Sequence, residues 1–142
     1  MLEELYRETI LDHGRKPRNS GHLEAATHKA DGWNPLCGDQ IRLFLIVQDD
    51  TITDIKFEGC GCAISQASTS LMTETVKGMK VVDALALFEK FHAMVVDGTV
   101  DELDGLECLA GVREFPARIK CATLGWHALR SALAGEEAAS TE

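Results

Sequence analysis

The fold is decided by two neighbouring segments, Ile41-Arg-Leu-Phe-Leu-Ile-Val47 and Thr51-Ile-Thr-Asp-Ile-Lys-Phe-Glu-Gly59, which the acidic pair Asp49-Asp50 separates. Both segments are rich in aliphatic and β-branched residues, which are typical of strands, and the short polar connection indicates a turn. We therefore predict an antiparallel hairpin. The residues expected on one face of its second strand are Thr53, Ile55 and Phe57.

The hairpin brings its two flanks together. Asp39 lies just before the first strand and Cys62 just after the second, so both are at the end remote from the turn. Cys37 precedes Asp39 by two residues, in a segment whose Pro35 and Gly38 predict a loop. Residues that are distant in the sequence are thus expected to be neighbours in space.

Apolar residues recur at helical spacing on both sides of the hairpin. An opening helix is predicted from residue 2 to residue 12 or 13, followed by breakers from 14 to 21 and by a loop or irregular strand over 22–36. Further helices are predicted between Cys62 and Gly78, over 82–95, within 100–112 and from Pro116 onward. Strands followed by helices indicate an α+β fold with helices covering one side of a small antiparallel sheet.

Length and charge limit the classes of function. The chain has 142 residues and no long Pro-, Ser- or Gly-rich run, which favours one domain, placed at 1–134, with a frayed tail at 135–142. Lys and Arg number 14 against 23 Asp and Glu, a net charge of −9, which disfavours nucleic acids and anionic membranes as partners. The N-terminal residues do not resemble a signal peptide and no apolar run reaches membrane-spanning length, which predicts a cytoplasmic protein.

The cysteines are the strongest chemical signal. There are five, an odd number without an export signal, which argues against a disulfide framework and favours reduced thiols. Reduced, clustered cysteines more often bind metal or carry sulfur than cross-link a chain. Cys37, Cys62 and Cys121 lie among small residues, and Asp39 adds a carboxylate that can serve as a hard, exchangeable fourth ligand. These four residues are the predicted metal or sulfur site.

Local structure supports two of these ligands. Cys62 is predicted near a helix N-terminus, where free amide hydrogens and the helix dipole lower a thiol pKa. Cys121 follows Pro116 by about one turn and is expected to face inward. Cys60 is too close to Cys62 for the two-residue spacer of a redox or zinc-knuckle motif, and Cys108 is predicted to be a buried apolar thiol. The histidines are not predicted as ligands because none has a partner at metal-binding spacing; they are His13, His22, His28, His92 and His127.

Five motifs in order carry a resemblance to a known family. They are Leu-Tyr-Arg-Glu-Thr-Ile-Leu-Asp-His, Lys-Pro-Arg-Asn, Asn-Pro-Leu-Cys-Gly-Asp, Gly-Cys-Ala-Ile-Ser-Gln-Ala-Ser and Phe-Pro-Ala-Arg-Ile-Lys-Cys-Ala-Thr-Leu. Over residues 2–133 the chain resembles the U-type iron–sulfur cluster assembly proteins, the family that includes IscU and the NifU N-terminal domain. The SufU branch is favoured because Lys120 stands where IscU-type scaffolds carry a His, and because the sequence has no Leu-Pro-Pro-Val-Lys chaperone motif. The segment from Cys62 to Cys121 is also longer than in IscU-type scaffolds, as the resemblance to the SufU branch implies.

The resemblance implies a fold and an activity. The fold would be α+β, of the SufE/NifU-like type, with helices on one face of a three-stranded antiparallel sheet. A zinc ion would be bound by Cys37, Asp39, Cys62 and Cys121, and Cys37 would accept persulfide sulfur from a SufS-like cysteine desulfurase. The protein would then act as a sulfurtransferase-like carrier that serves a downstream cluster scaffold or apoproteins.

The same residues are compatible with other functions. The three cysteines could bind iron or assemble a [2Fe-2S] cluster and pass it to apoproteins, as a scaffold does, or they could form an inert zinc-stabilised interaction domain. Asp39 could cap a turn instead of binding metal. The extra thiol of Cys60 could exchange into the ligand set or relay a persulfide. Arg118 and Lys120 are the cations nearest in sequence, and either could offset the negative charge of a loaded site.

Overall fold

The hairpin is present in the computed structural model, which describes residues 2–98, 103, 105–136 and 138–140. Strands β2 (Asp39–Gln48) and β3 (Thr51–Cys60) pair antiparallel on either side of a two-residue turn. Both turn residues, Asp49 and Asp50, have positive φ values, of 51° and 60°. This conformation matches the right-handed twist of the paired strands, and a short polar side chain such as Asp tolerates it.

A β-bulge changes the pattern of burial in the hairpin. The register shifts between Ile46 and Val47 of β2, so that Thr53 is the extra residue of β3. Thr53 is exposed, and its hydroxyl donates a hydrogen bond to the carbonyl of Ile46. The fully buried apolar residues of β3 are Ile52, Ile55 and Phe57. The prediction for Ile55 and Phe57 is confirmed, and the prediction for Thr53 is wrong because strict alternation does not anticipate a bulge.

Two further strands extend the sheet. β1 (His28–Asn34) pairs antiparallel with β2 in the segment predicted as a loop or irregular strand, and it completes the three antiparallel strands. A short β4 (Ala138–Ser140) pairs parallel with β1 and gives the order β3-β2-β1-β4. A frayed tail was predicted here; the difference arises because an edge strand offers backbone hydrogen bonds that need no apolar side chain. Residues 137, 141 and 142 of the tail lie outside the described residues.

The helices are α1 (Leu2–Arg15), α2 (Ala63–Val76), α3 (Val81–Asp97), a 3-10 helix (Leu106–Glu114) and α4 (Pro116–Leu133). The 3-10 helix occupies the later part of the short helix predicted within 100–112, of which 100–102 and 104 lie outside the described residues. Helix α4 packs against β1 and β2, α2 packs against β3 and α4, and α1 packs against α2. The α+β fold with helices on one face of the sheet is therefore confirmed.

The contact between α2 and α4 is unusually close. A Cβ atom added at Gly125 would lie 2.3 Å from Oγ1 of Thr69, so only glycine fits at this crossing. Beside it, the hydroxyl of Ser68 donates to the carbonyl of Ala122 at 2.5 Å and accepts a hydrogen bond from the indole of Trp126 at 3.2 Å. These contacts hold the middle of α2 against the middle of α4. Among the described residues, no helix combines the length and the apolar character needed to cross a bilayer.

Candidate metal centre

Cys37 lies on the short loop between β1 and β2. The carbonyl of Asn34 accepts the backbone N–H groups of Cys37 and Gly38, at 3.3 and 2.9 Å. Gly38 has φ of 72°, a left-handed conformation that glycine adopts without steric cost. The loop therefore holds the Cys37 side chain at the surface, where it is exposed.

Asp39 begins β2, and its side chain is fully buried. Its Oδ1 accepts a hydrogen bond from the backbone N–H of Cys62 at 2.8 Å. Gly61 makes this approach possible: its φ is 150°, and a Cβ atom there would lie only 2.3 Å from Oδ1 of Asp39. One carboxylate oxygen is thus held by the backbone of Cys62, and the other, Oδ2, lies towards the cysteines.

Cys62 and Cys121 come from the starts of two helices. Cys62 is the N-cap residue of α2, and its Sγ accepts the backbone N–H of Ser65 at 3.4 Å. Cys121 is only 2% exposed, and it lies in the second turn of α4 after Pro116, which occupies the first turn as predicted. Both thiols are therefore carried by rigid secondary structure.

The structure brings three of the four predicted ligands into one group. Ligand atoms of Cys37, Asp39 and Cys121 all lie within 4.8 Å of one another. The Cys121 thiol donates to Sγ of Cys37 at 3.3 Å. Cys62 stands beside this group, with its Sγ 3.9 Å from Oδ2 of Asp39. The hairpin brings Asp39, at the start of β2, close to Cys62, and the packing of α4 on β1, β2 and α2 adds Cys121.

The electrostatics of the group favour a bound cation. Burial raises the pKa of the Cys121 thiol well above its ordinary value, and the neighbouring carboxylate of Asp39 and the thiols of Cys37 and Cys62 raise it further. The Asp39 carboxylate is buried too, and no ion pair within the described part of the chain joins it to a basic side chain. A buried charge is costly without a counter-charge. The carboxylate and two thiols of this group, with the Cys62 thiol beside them, therefore fit a thiophilic dication such as Zn²⁺.

Asn34 is a site residue that the sequence analysis missed. Its side chain is fully buried, and its amide nitrogen donates to Oδ2 of Asp39 and to Sγ of Cys121, each at 3.5 Å. Its Oδ1 accepts the backbone N–H of Leu36 at 3.3 Å. One side chain therefore connects the ligand loop, the carboxylate and the deepest cysteine. The sequence feature that could have identified Asn34 is its position at the start of the Asn-Pro-Leu-Cys-Gly-Asp motif.

The remaining candidates lie apart from the ligand group. Cys60 is exposed at the end of β3, in a shallow cleft of about 410 Å³ that Trp33 and Gln40 also line. Arg118 is exposed and lines a different cleft, together with residues of α1, and Lys120 is half-buried. Cys108 is buried, as predicted. The structure assigns none of these side chains a contact with the ligand atoms within the described residues.

The histidines also lie outside the group. His127 and His92 are near each other, with ring centroids 5.9 Å apart, and both contact the ring of Phe88. Burial, with the positive charge of Arg130 nearby, lowers the pKa of His127 to about 4. His13 is buried between α1 and α2, where its Nδ1 is 2.7 Å from the hydroxyl of Ser70.

Known proteins of similar sequence and structure share this architecture. Residues 5–139 match the model of the NifU-like N terminal domain. A zinc-dependent sulfurtransferase SufU from Bacillus subtilis is 46% identical over 140 residues, covering 96% of this chain and 94% of the relative. An iron–sulfur cluster assembly scaffold protein IscU from Streptococcus pyogenes is 43% identical and covers 93% of this chain and 84% of the relative. The crystal structure of a putative scaffold protein for the SUF system from Fervidobacterium islandicum superposes with a TM-score of 0.85, at 35% identity, over 92% of this chain and 98% of that one.

Proposed function

The chain belongs to the family of NifU-like N-terminal domains, and we propose that it works in iron–sulfur cluster assembly as a zinc-dependent acceptor of persulfide sulfur. The observation that carries this proposal is the convergence of Cys37, Asp39 and Cys121 within 4.8 Å, with Cys62 beside them. The resemblance found in the sequence and the names of the relatives support the same function.

Cys37 is the residue that accepts sulfur. Cys37 is exposed on a loop, whereas Cys121 is buried in α4 and Cys62 is half-buried at the N-cap of α2. Of the three ligand cysteines, Cys37 is therefore the most accessible to another protein. The Cys37 thiolate attacks the outer sulfur of a persulfide on a cysteine desulfurase. The donor's sulfur–sulfur bond breaks as the new one forms on Cys37, and the donor cysteine leaves as a thiolate and takes up a proton. No net oxidation occurs.

The other site residues hold the ligand set together. The thiolates of Cys37, Cys62 and Cys121 and the carboxylate of Asp39 would hold Zn²⁺, which keeps the thiols deprotonated at neutral pH. Asn34 orients Asp39 and Cys121 through its amide, and the backbone N–H of Cys62 fixes Oδ1 of Asp39. Outer groups of this kind commonly set the orientation and basicity of metal ligands.

A scaffold function is the alternative, and the IscU relatives favour it. In that case Cys37, Cys62 and Cys121 would receive an iron–sulfur cluster as cargo and release it to an apoprotein. The absence of a His before Cys121, where Lys120 stands, favours the sulfur acceptor instead.

The test begins with metal analysis of the purified chain, followed by mixing with a cysteine desulfurase and L-cysteine. We expect about one zinc per chain, faster sulfide release by the desulfurase, and a mass increase of one sulfur atom on Cys37. Cys37→Ala should abolish the added sulfur, whereas Cys60→Ala, which removes another exposed thiol, should retain it. Iron in place of zinc, with transfer of a cluster to an apoprotein, would favour the scaffold. Undiminished stimulation by Cys37→Ala would refute its role as acceptor.

A further inference from the structure

A cleft of about 400 Å³ lies at the surface where four helices meet, and the function proposed above makes no use of it. Its lining comes from α1, the first turn of α2, the 3-10 helix and the first turn of α4. We call it the α1 cleft. The lining residues that decide its chemistry are Tyr6, Arg7, Ile10, Ile64 and Arg118.

Most of the lining is apolar and incompletely covered. Tyr6, Ile10 and Ile64 pack against the hydrophobic core, yet each is only half-buried. Part of their apolar surface is therefore left in contact with water inside the cleft. Removing apolar surface from water is favourable, so an apolar side chain of another molecule would be stabilised by entering the cleft.

Two guanidinium groups add positive charge to this apolar lining, one from Arg7 on α1 and one from Arg118 on α4. Both residues are exposed, and neither forms an ion pair with any residue that the structure describes. The whole chain carries a net charge of −9, so the positive charge here is a local feature. Because a guanidinium pairs best with a carboxylate, the α1 cleft is complementary to an acidic group placed next to an apolar one.

The cleft is open on one side. Among its lining residues Arg7, Ala63, Gly111 and Arg118 are exposed, so a molecule lying there keeps one face towards solvent. A small ligand usually buries most of its surface in its site. A segment of a partner protein needs only one face covered, as when an amphipathic helix lies in a groove. The open cleft therefore favours a protein segment over a small molecule.

We propose that the α1 cleft is a docking site for an acidic amphipathic segment of a partner protein. The apolar side chains of the segment cover Tyr6, Ile10 and Ile64. Its carboxylates pair with Arg7 and Arg118. The charge pairing selects the segment and sets its orientation, and the apolar contacts supply most of the binding free energy.

The cleft adjoins the ligand group through two helices. Ala63 follows Cys62 directly, and Arg118 lies about one turn before Cys121 on α4. A segment docked in the cleft is therefore held within a few residues of two ligand cysteines. The inference goes beyond the proposed function and stands separately from it, because none of the four ligands is among the residues that line the cleft.

The test uses the full chain and two short helical peptides labelled with fluorescein. Both peptides carry the same face of leucines, and the charged residues beside that face are all glutamate in one peptide and all lysine in the other. Fluorescence anisotropy at physiological salt measures their affinities. Arg7→Glu combined with Arg118→Glu reverses the charge of the cleft. Lys29→Glu combined with Lys90→Glu is the matched control, because it changes the net charge equally at two exposed lysines outside the cleft.

We expect the wild type and the control to bind the glutamate peptide at least about tenfold more tightly than the lysine peptide, against the net charge of the chain. The cleft variant should reverse this preference. Equal affinity of the wild type for the two peptides, or a preference for the lysine peptide, would overturn the inference. A control that loses the preference as the cleft variant does would show an effect of overall charge and would also overturn it.

Two further measurements distinguish other occupants of the cleft. Sedimentation of the chain alone detects a second copy, and flotation with phosphatidylglycerol vesicles detects a membrane surface. Self-association or vesicle binding that the cleft variant abolishes would assign the cleft to that occupant and overturn the inference. A wild-type chain that binds no zinc through its cysteines but prefers the glutamate peptide would overturn the proposed function and support the inference.

Discussion

Adding a single methyl group at Gly61 should displace the carboxylate of Asp39 from the candidate metal site. Its φ of 150° disfavours any side chain, and a Cβ atom would meet Oδ1, Cγ and Cα of Asp39 at 2.3, 2.9 and 3.0 Å. The approach at 2.3 Å is to the oxygen that accepts the Cys62 N–H, so Gly61→Ala must displace the carboxylate that completes the ligand set.

The cost follows from two contributions. A side chain at this backbone conformation costs on the order of 1–3 kcal/mol. Loss of a buried hydrogen bond to a carboxylate costs about 1.5–3 kcal/mol more. Together they lower the free energy of unfolding by about 2.5–6 kcal/mol, a large part of the roughly 5–15 kcal/mol of an ordinary domain. Because Asp39 is displaced, zinc affinity should also fall by at least about tenfold.

Gly78→Ala is the matched control. Gly78 also has a positive φ, of 89°, but a Cβ atom there would meet no heavy atom within 4 Å. This variant should lose only about 1–2 kcal/mol and keep its zinc affinity. Urea unfolding of the metal-free proteins and zinc competition with a chelator measure both quantities. If Gly61→Ala binds zinc as the wild type does, or is no less stable than Gly78→Ala, the argument that glycine admits the Asp39 carboxylate is refuted.

Three further perturbations test the packing and the titrating groups. Gly125→Ala should lower the free energy of unfolding measured in urea by about 1–3 kcal/mol, because its Cβ would overlap Thr69. Adding Thr69→Ala should restore part of this stability, and no recovery in the double variant would contradict the contact. The pKa of His127 is lowered from 6.5 to about 4, so the folded state binds fewer protons than the unfolded one, and stability present above pH 6.5 should be lost as the pH falls towards 4. After allowance for partial exposure, the free energy of unfolding should fall by about 1–3 kcal/mol over this pH range. In urea unfolding measured at a series of pH values, His127→Gln should reduce this dependence on pH; an unchanged slope would contradict the lowered pKa of His127. Burial raises the pKa of the Cys108 thiol to about 11. Iodoacetamide at neutral pH should therefore modify Cys60 and leave Cys108 unmodified in the folded protein, which peptide mass spectrometry can measure. Equal labelling of the two cysteines would contradict the burial of Cys108.

Local patterns were sufficient for most of the fold. The aliphatic and β-branched composition of 41–47 and 51–59, with Asp49 and Asp50 between them, predicts the hairpin because strand preference and turn chemistry act over a few residues. Helix spacing located α1, α2, α3 and α4 for the same reason. The bulge at Thr53 and the short β4 were not predicted. Both depend on how a strand pairs with its neighbour, so neither changes the periodicity of a single segment.

For the candidate site too, the sequence predicted some features and the tertiary structure decided others. Cys37, Asp39, Cys62 and Cys121 could be selected from residue chemistry and from their positions at the ends of predicted elements, since thiols and carboxylates are the ligands that a dication requires. Their separations, and the position of the Asn34 amide between Asp39 and Cys121, became visible only in the packed arrangement of β1, β2, α2 and α4. A residue's chemistry belongs to its own side chain, whereas a hydrogen bond or an approach of a few ångströms is made by atoms from distant segments, and only the packed chain brings those atoms together.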